Sequence, residues 1–322
     1  VRDDIMQNKF ENSRICVVGI GGVGGIIGGA LARTYPHVTF YARGARKDAI
    51  RSKGLRIESE YLGDFIVNPE LVTDDAQEIG IMDYIFICVK NYSLQQVCEA
   101  IQPMISKDTK IVPIMNGVDA ADKTRKYLGK GTVLDALIYI ASGSSENFTI
   151  VQKGNYSRVF IGLKDPSSEE KEAIEEVNNL LTGAGIECIV EADMEATIWK
   201  KYVLNCSFNI LTAYYRANTK DLRADSSRVQ EFRALLAEAC QVGRKAGVKL
   251  PEAVEEEHMK HFLVNQSEDA TSSLRRDMDA GRANELETFS GYILQLGKEL
   301  GLVLPVTEYF YEKLSKGQRI SN

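Results

Sequence analysis

Apolar positions in the first half of the chain fall into short runs rich in β-branched residues, each followed by a stretch of helical spacing. Arg14-Ile15-Cys16-Val17-Val18 predicts a strand over 14–19, and residues 23–34 carry a helical period. Further strands are predicted over 38–41, 84–89, 110–114 and 133–137. Strands alternating with helices imply βαβ units and a mostly parallel, doubly wound sheet. Two more apolar runs, 148–152 and 158–163, flank Lys153-Gly154-Asn155-Tyr156-Ser157. A glycine-bearing loop between two such runs predicts a hairpin centred on 153–157, so the sheet is expected to be mixed at one edge.

Near residue 165 the pattern changes. Ser167 and Ser168 open a helix with Glu169, Glu170 and Glu172 in its first turns, where the helix dipole favours anions. Gly183-Ala184-Gly185 ends it, and 186–190 is a last short strand. From 193 to 322 nearly every segment reads as helix, separated by Gly, Asn and Pro. The expectation is an α/β domain over 1–192 and an all-helical domain over 193–322. Residues 1–12 read as a leader or extension. The 322 residues suit two domains of roughly 150 each.

Composition narrows the function classes. With 39 basic and 45 acidic residues the formal charge is −6, which disfavours non-specific binding to nucleic acid or a membrane surface. No apolar run approaches the roughly 18 residues of a membrane span. The six cysteines show no C-x-x-C spacing, and residues 1–12 have no apolar stretch like that of a secretion signal. A cytoplasmic protein with reduced thiols is expected. His258 and His261 lie three apart on a predicted helix with no third ligand nearby, so a solvated face is expected and no metal.

Gly19-Ile20-Gly21-Gly22-Val23-Gly24 has the form G-x-G-x-x-G, directly after the first strand and opening a helix. That context gives the pattern meaning as a dinucleotide-binding turn. Gly19 allows the tight turn, Gly21 lets the backbone approach a pyrophosphate, and Gly24 permits close helix–strand packing, with Gly22 and Val23 in the same turn. The helix N-terminus offers N–H groups to the phosphates. An NAD site usually places an acid about 20 residues on. Here Arg43 stands at the end of the second strand, followed by Arg46 and Lys47. A guanidinium suits a 2′-phosphate, so NADPH is the expected cofactor. A solvated basic loop is the alternative. Lys90 and Asn116 follow two further strands, where the ligand crevice of an open α/β sheet lies.

In the second half, Lys201, Asn205 and Asn209 are spaced i, i+4, i+8 along an otherwise apolar helix. An ammonium and two amides there are costly unless satisfied, so the row is expected to line a polar cleft; a wet face of an amphipathic helix is the plainer alternative. Lys200 reads as solvated. Gly281 reads as a helix stop, and Asn284 as the next N-cap, with Glu287 completing a capping box and Glu285 in the first turn.

Taken together, the glycine turn, Val89-Lys90, Met115-Asn116-Gly117, and Trp199-Lys200-Lys201-x-x-x-Asn205-Cys206-x-x-Asn209-x-Leu211-Thr212-Ala213 resemble the ketopantoate reductase (2-dehydropantoate 2-reductase) family. Ser273 and Glu285, twelve residues apart, fit the same pattern. The resemblance covers about 13–316. It implies a Rossmann-type N-terminal domain, a helical C-terminal domain, and NADPH-dependent reduction of ketopantoate to pantoate. It implies that Lys201 is the general acid and that Glu285 binds the substrate hydroxyl. Asn205, Asn209, Asn218 and Ser273 would be polar substrate contacts. Asn116 would lie between nicotinamide and substrate, and Arg43 and Lys90 would contact NADP. Asn284 stands where the family usually has Thr, and Ser93 where Gln or Thr is common. The expected partner is a small-molecule substrate, and a homodimer is compatible with the reading. A related reductase acting on another 2-oxo acid and a non-catalytic NADPH sensor remain as alternatives.

Overall fold

The computed structural model describes residues 10–320, which fall into two compact units, Val1–Met194 and Glu195–Asn322. The division lies two residues beyond the expected boundary. In the first unit the chain runs β1 (Ile15–Val18), α1 (Gly22–Thr34), β2 (Val38–Tyr41), α2 (Gly44–Lys53), β3 (Leu55–Ser59), β4 (Phe65–Val67) and β5 (Leu71–Thr73). It continues through α3 (Ala76–Ile79), β6 (Tyr84–Ile87), α4 (Leu94–Ile101), β7 (Lys110–Pro113), α5 (Ala120–Leu128) and β8 (Thr132–Val133). It ends with β9 (Asp135–Ser144), β10 (Ile150–Gly162), α6 (Ser168–Gly183) and β11 (Glu187–Val190).

Six of these strands form one parallel sheet in the order β5-β2-β1-β6-β7-β8, the doubly wound arrangement. Both faces are covered. Ile15 and Val17 of β1 join the core shared with α1, while Cys16 and Val18 join the core under α4 and α5. Four more strands form a second sheet in the order β11-β10-β3-β4, with β9 antiparallel to β10. The mixed pairing expected at an edge is therefore a separate mixed sheet.

The expected hairpin turn is misplaced. Residues 153–157 lie inside β10, where the pairing with β9 slips between Lys153 and Arg158. Gln152 is buried there, and its amide donates to the carbonyls of Lys153, Gly154 and Tyr156 at 2.9, 2.6 and 3.1 Å, tying down a bulge. The real turn is Ser145-Glu146-Asn147-Phe148-Thr149. There the Phe148 N–H donates to the Ser145 carbonyl at 3.0 Å, with Phe148 at φ 66°.

Residues 1–9 of the expected leader lie outside the described residues. Phe10 corrects the rest of that expectation: it is buried, and its ring meets Tyr35 and Tyr84 edge-on, each at 6.0 Å.

Helix α1 packs against both sheets, which explains a composition that is poor for a helix, GVGGIIGGALART. A methyl group at Gly25 would collide with Ile150, and one at Gly29 with Ile57, both in the second sheet. At Gly28 it would sit 2.9 Å from Cε1 of Phe40 in the first.

The described residues of the second unit form helices joined by loops, with no strand: α7 (Met194–Tyr214), α8 (Thr219–Arg223), α9 (Ser226–Lys245), α10 (Val254–Lys260), α11 (Ser273–Asp279), α12 (Tyr292–Glu299) and α13 (Pro305–Ser315). Two π-helical turns, His261–Asn265 and Glu287–Gly291, interrupt the pattern. No described helix is long and apolar enough to cross a membrane.

Gly28→Ala tests the packing of α1. The substitution gains about 1 kcal/mol of helix propensity, whereas overpacking a core costs about 1–3 kcal/mol. Phe40 is fully buried, and a Cβ 2.9 Å from its ring would force it to shift within the core, so the expected result is a lower melting temperature. A raised melting temperature would show that α1 is not confined between the sheets.

Candidate active site

Within the first unit, the ends of β1, β6 and β7 lie side by side. Gly19 leaves β1 at φ 89°, and a Cβ there would meet Val89 at 2.6 Å and the Cys88 carbonyl at 2.9 Å. At Gly24 a Cβ would strike the Gly19 carbonyl, so this glycine permits the helix–strand contact expected of it. A Cβ at Gly21 would have nothing within 4 Å, which leaves the helix entrance open to a ligand. Gly22 differs: a Cβ there would lie 2.9 Å from the backbone of Ser142 and Gly143, so it serves packing against β9. Val23 follows it, half-buried against the core.

The N-terminus of α1 carries no side-chain cap and no acid in its first turn. The Oγ of Ser142, in the strand segment behind this turn, is buried without a hydrogen-bond partner. An open glycine cradle, an uncapped helix start and a nearby orphan hydroxyl suit the diphosphate of a dinucleotide.

Arg43 is exposed at the end of β2 and is the N-cap of α2, so the basic segment weighed as a solvated loop is a helix start. No acid stands in the first turn of α2. Lys47 is paired with Asp74 at 2.8 Å. The Arg46 guanidinium lies 4.9 Å from the centroid of the Phe148 ring, with Nη1 buried and without a partner. Burial holds its pKa below the ordinary arginine range. Lys90 is half-buried just beyond β6. Asn91 donates to the Asn116 carbonyl at 2.7 Å, which joins the loops after β6 and β7. Asn91 and Ser142 were not singled out in the sequence, since neither belongs to the glycine pattern and their places here depend on contacts between segments distant in the chain.

In the second unit, α7 presents Lys201 and Asn205 half-buried and Asn209 buried along one row. Glu285 is 3% exposed. Burial drives the Lys201 pKa down to about 8, and the Glu285 carboxylate opposes that fall. The Asn209 oxygen accepts from the Leu274 N–H at 3.5 Å, a long contact at the start of α11. The cap of α11 is Ser272: its Oγ accepts from the Arg275 N–H at 3.1 Å and from Thr212 Oγ1 at 2.7 Å. Ser273, half-buried, is the first residue of the helix. The Asn218 oxygen caps α8 by accepting from the Asp221 N–H at 2.9 Å, so a ligand contact there would use its amide nitrogen.

Three local expectations need correction. Asn284 does cap, accepting from the Leu286 N–H at 3.1 Å. Glu287, however, accepts from the Tyr311 hydroxyl at 2.6 Å instead of closing a capping box, because the chain enters a π turn at that residue. His258 is buried rather than solvated, with Nε2 2.7 Å from the Lys200 carbonyl, and only His261 is exposed. Lys200 is partly exposed but paired with Glu257 at 2.6 Å. No cluster of potential metal ligands occurs among the described residues.

A family model described as ketopantoate reductase PanE/ApbA matches residues 15–166, and its C-terminal counterpart matches 193–318. An uncharacterized oxidoreductase, YkpB, of Bacillus subtilis is 32% identical over 94% of this chain and 97% of its own length. A 2-dehydropantoate 2-reductase of Mesorhizobium japonicum is 25% identical over 88% of this chain and 91% of its own. The crystal structure of a PanE/ApbA family ketopantoate reductase from Ralstonia eutropha superimposes with a TM-score of 0.85 at 25% identity, covering 95% of this chain and 98% of that one. With a Rossmann-type first unit, a helical second unit and both halves matched, the chain belongs to the ketopantoate reductase family of oxidoreductases.

Proposed function

We propose that the chain reduces ketopantoate to pantoate with NADPH, as a cytoplasmic enzyme. The observation that carries the reading is the second-unit pair, a half-buried Lys201 whose pKa is lowered to about 8 beside the buried Glu285. A general acid works best with a pKa near the operating pH, and perturbed groups of this kind concentrate at functional sites. The reduced nicotinamide supplies the hydride. Lys201 donates a hydrogen bond to the ketone oxygen, offsets the developing alkoxide, and delivers the proton. Glu285 accepts a hydrogen bond from the substrate hydroxyl. Asn205, Asn209, Asn218 and Ser273 supply further polar contacts.

On the cofactor side, Arg43 at the uncapped start of α2 favours a 2′-phosphate. Arg46 adds a second cation in the same helical turn. Lys90 would contact the cofactor, and Asn116 would lie between the nicotinamide and the substrate.

NADPH oxidation with ketopantoate, run beside pyruvate and with NADH as second cofactor, tests the assignment. Turnover confined to ketopantoate with NADPH is expected; preference for another oxo acid would move the substrate and keep the chemistry. Lys201→Ala should lower kcat by about 10²–10⁴ while NADPH still binds. Because the ammonium is the working form, kcat/KM for reduction should be flat below pH 8 and fall above about 8. A profile unbroken to pH 10 would remove Lys201 as the acid. Arg43→Ala should weaken NADPH roughly 10–100-fold, since hydrogen bonds to charged groups are worth about 1.5–3 kcal/mol, with NADH little changed. Glu285→Gln should narrow the preference for the hydroxylated substrate over its deoxy analogue; an unaltered ratio would exclude that contact.

A further inference from the structure

Glu285 is followed almost at once by an irregular turn. After Leu286 the chain enters the π turn Glu287–Gly291, in which the Tyr292 N–H reaches back five residues to the Glu287 carbonyl. Such single turns displace the register of a helix and occur often at functional sites. Here two side chains of α7 receive the turn. The Tyr202 hydroxyl donates to the Thr288 carbonyl at 2.6 Å, and the Cys206 thiol donates to the Phe289 carbonyl at 3.1 Å.

These donors sit one residue after Lys201 and Asn205, forming their own i, i+4 row beside the polar one. Tyr202 is 1% exposed, and its ring meets Trp199 and Tyr292 edge-on at 5.5 and 6.1 Å. Cys206 is buried, and burial raises its thiol pKa far enough that it stays a protonated donor. Neither side chain has a part in the reaction as proposed above.

We propose that Tyr202 and Cys206 are positioning residues, which bind the carbonyls of the π turn and thereby hold the Glu285 carboxylate against the Lys201 ammonium. The inference rests on the roles given above to that pair. Other charges near these elements are engaged elsewhere: Lys200 with Glu257 at 2.6 Å, Glu287 with Tyr311 at 2.6 Å, and Arg244 with Glu255 on the neighbouring helices. His258 is bound to the Lys200 carbonyl, and burial raises the pKa of Cys240, the thiol near Cys206, so that it stays neutral. Glu285 is the charge that raises the Lys201 pKa against burial, so its displacement is what Lys201 would register.

The test compares Tyr202→Phe, Cys206→Ala and the double variant with wild type, using Glu285→Gln as the reference for loss of the carboxylate. The Lys201 ammonium is titrated by NMR in protein labelled with ¹⁵N-lysine, its signal assigned through Lys201→Arg. An opposite charge within a few ångströms shifts a pKa by about 1–3 units, so partial displacement of Glu285 should lower the Lys201 midpoint by roughly half a unit or more. The alkaline limb of kcat/KM should fall with it. The oxo-acid KM should rise several-fold, and NADPH binding should be unchanged. A lower melting temperature with an unmoved Lys201 midpoint would mean that the two bonds only stabilise the fold, and would overturn the proposal. Tyr202→Phe keeps the ring contacts, so it answers the question even if the double variant fails to fold. The titration needs no turnover: a wild type inactive on every oxo acid would sink the substrate reading, and the midpoint shift would still decide this one.

Discussion

The first unit depends on one steric constraint: α1 has a β-sheet on either side. A helix in that position has no room for side chains on the faces it turns to Ile150, Ile57 and Phe40. Glycine costs roughly 1 kcal/mol per residue in a helix interior, so the run Gly24-Gly25-x-x-Gly28-Gly29 is a sizeable local sacrifice. Close packing of two sheets on one helix offsets it. The same constraint shapes the ligand end. Gly22 lies flat against the backbone of β9, which fixes where the uncapped N–H groups of α1 point. Among the glycines of that turn, Gly21 is the one whose missing side chain opens onto free space.

The second unit is governed by a buried charge. An ammonium taken out of water is costly, and an opposite charge recovers part of that cost. Glu285 works in this direction, raising a Lys201 pKa that burial lowers. The balance leaves its pKa at about 8, so the ammonium predominates at neutral pH yet releases a proton more readily than an ordinary lysine. Small changes in the distance between the two would move that balance. A turn of fixed geometry beside Glu285, anchored from the helix that carries Lys201, limits such changes.

Much of this was legible in the sequence, and the failures have physical causes. The parallel strands β1, β2, β6 and β7 were readable because strands buried on both faces are continuous apolar runs. The strands β3, β4 and β5 were not predicted: LRIES, FIV and LVT are too short to show alternation and sit among polar residues, without the longer apolar runs that marked β1 and β6. The hairpin was misplaced because Lys153-Gly154-Asn155-Tyr156-Ser157 has turn chemistry, and a bulge uses the same residues as a turn. Its anchor, the buried amide of Gln152, acts on the carbonyls of the loop and leaves no mark in the pattern. The spacing of Lys201, Asn205 and Asn209 did reveal their common row, because helical periodicity maps directly onto a face. The π turn after Glu285 could not be read this way. It changes which carbonyl each N–H meets without requiring a particular residue, so Glu287 looked like half of a capping box.

The choice between a catalyst and a cofactor-binding sensor turns on the cost of this arrangement. A sensor needs the glycine turn and the cations near Arg43, all of which lie in the first unit. It has no use for a half-buried lysine in line with two amides on a helix of the second unit. Replacing a buried ion pair with apolar side chains of similar volume is often neutral or stabilising by about 1–4 kcal/mol. Lys201 and Glu285 are thus not explained by stability, and Tyr202 and Cys206 spend two more polar groups beside them. In the proposed reduction, a lysine whose pKa burial lowers to about 8 suits proton transfer to a forming alkoxide, a task a sensor does not have.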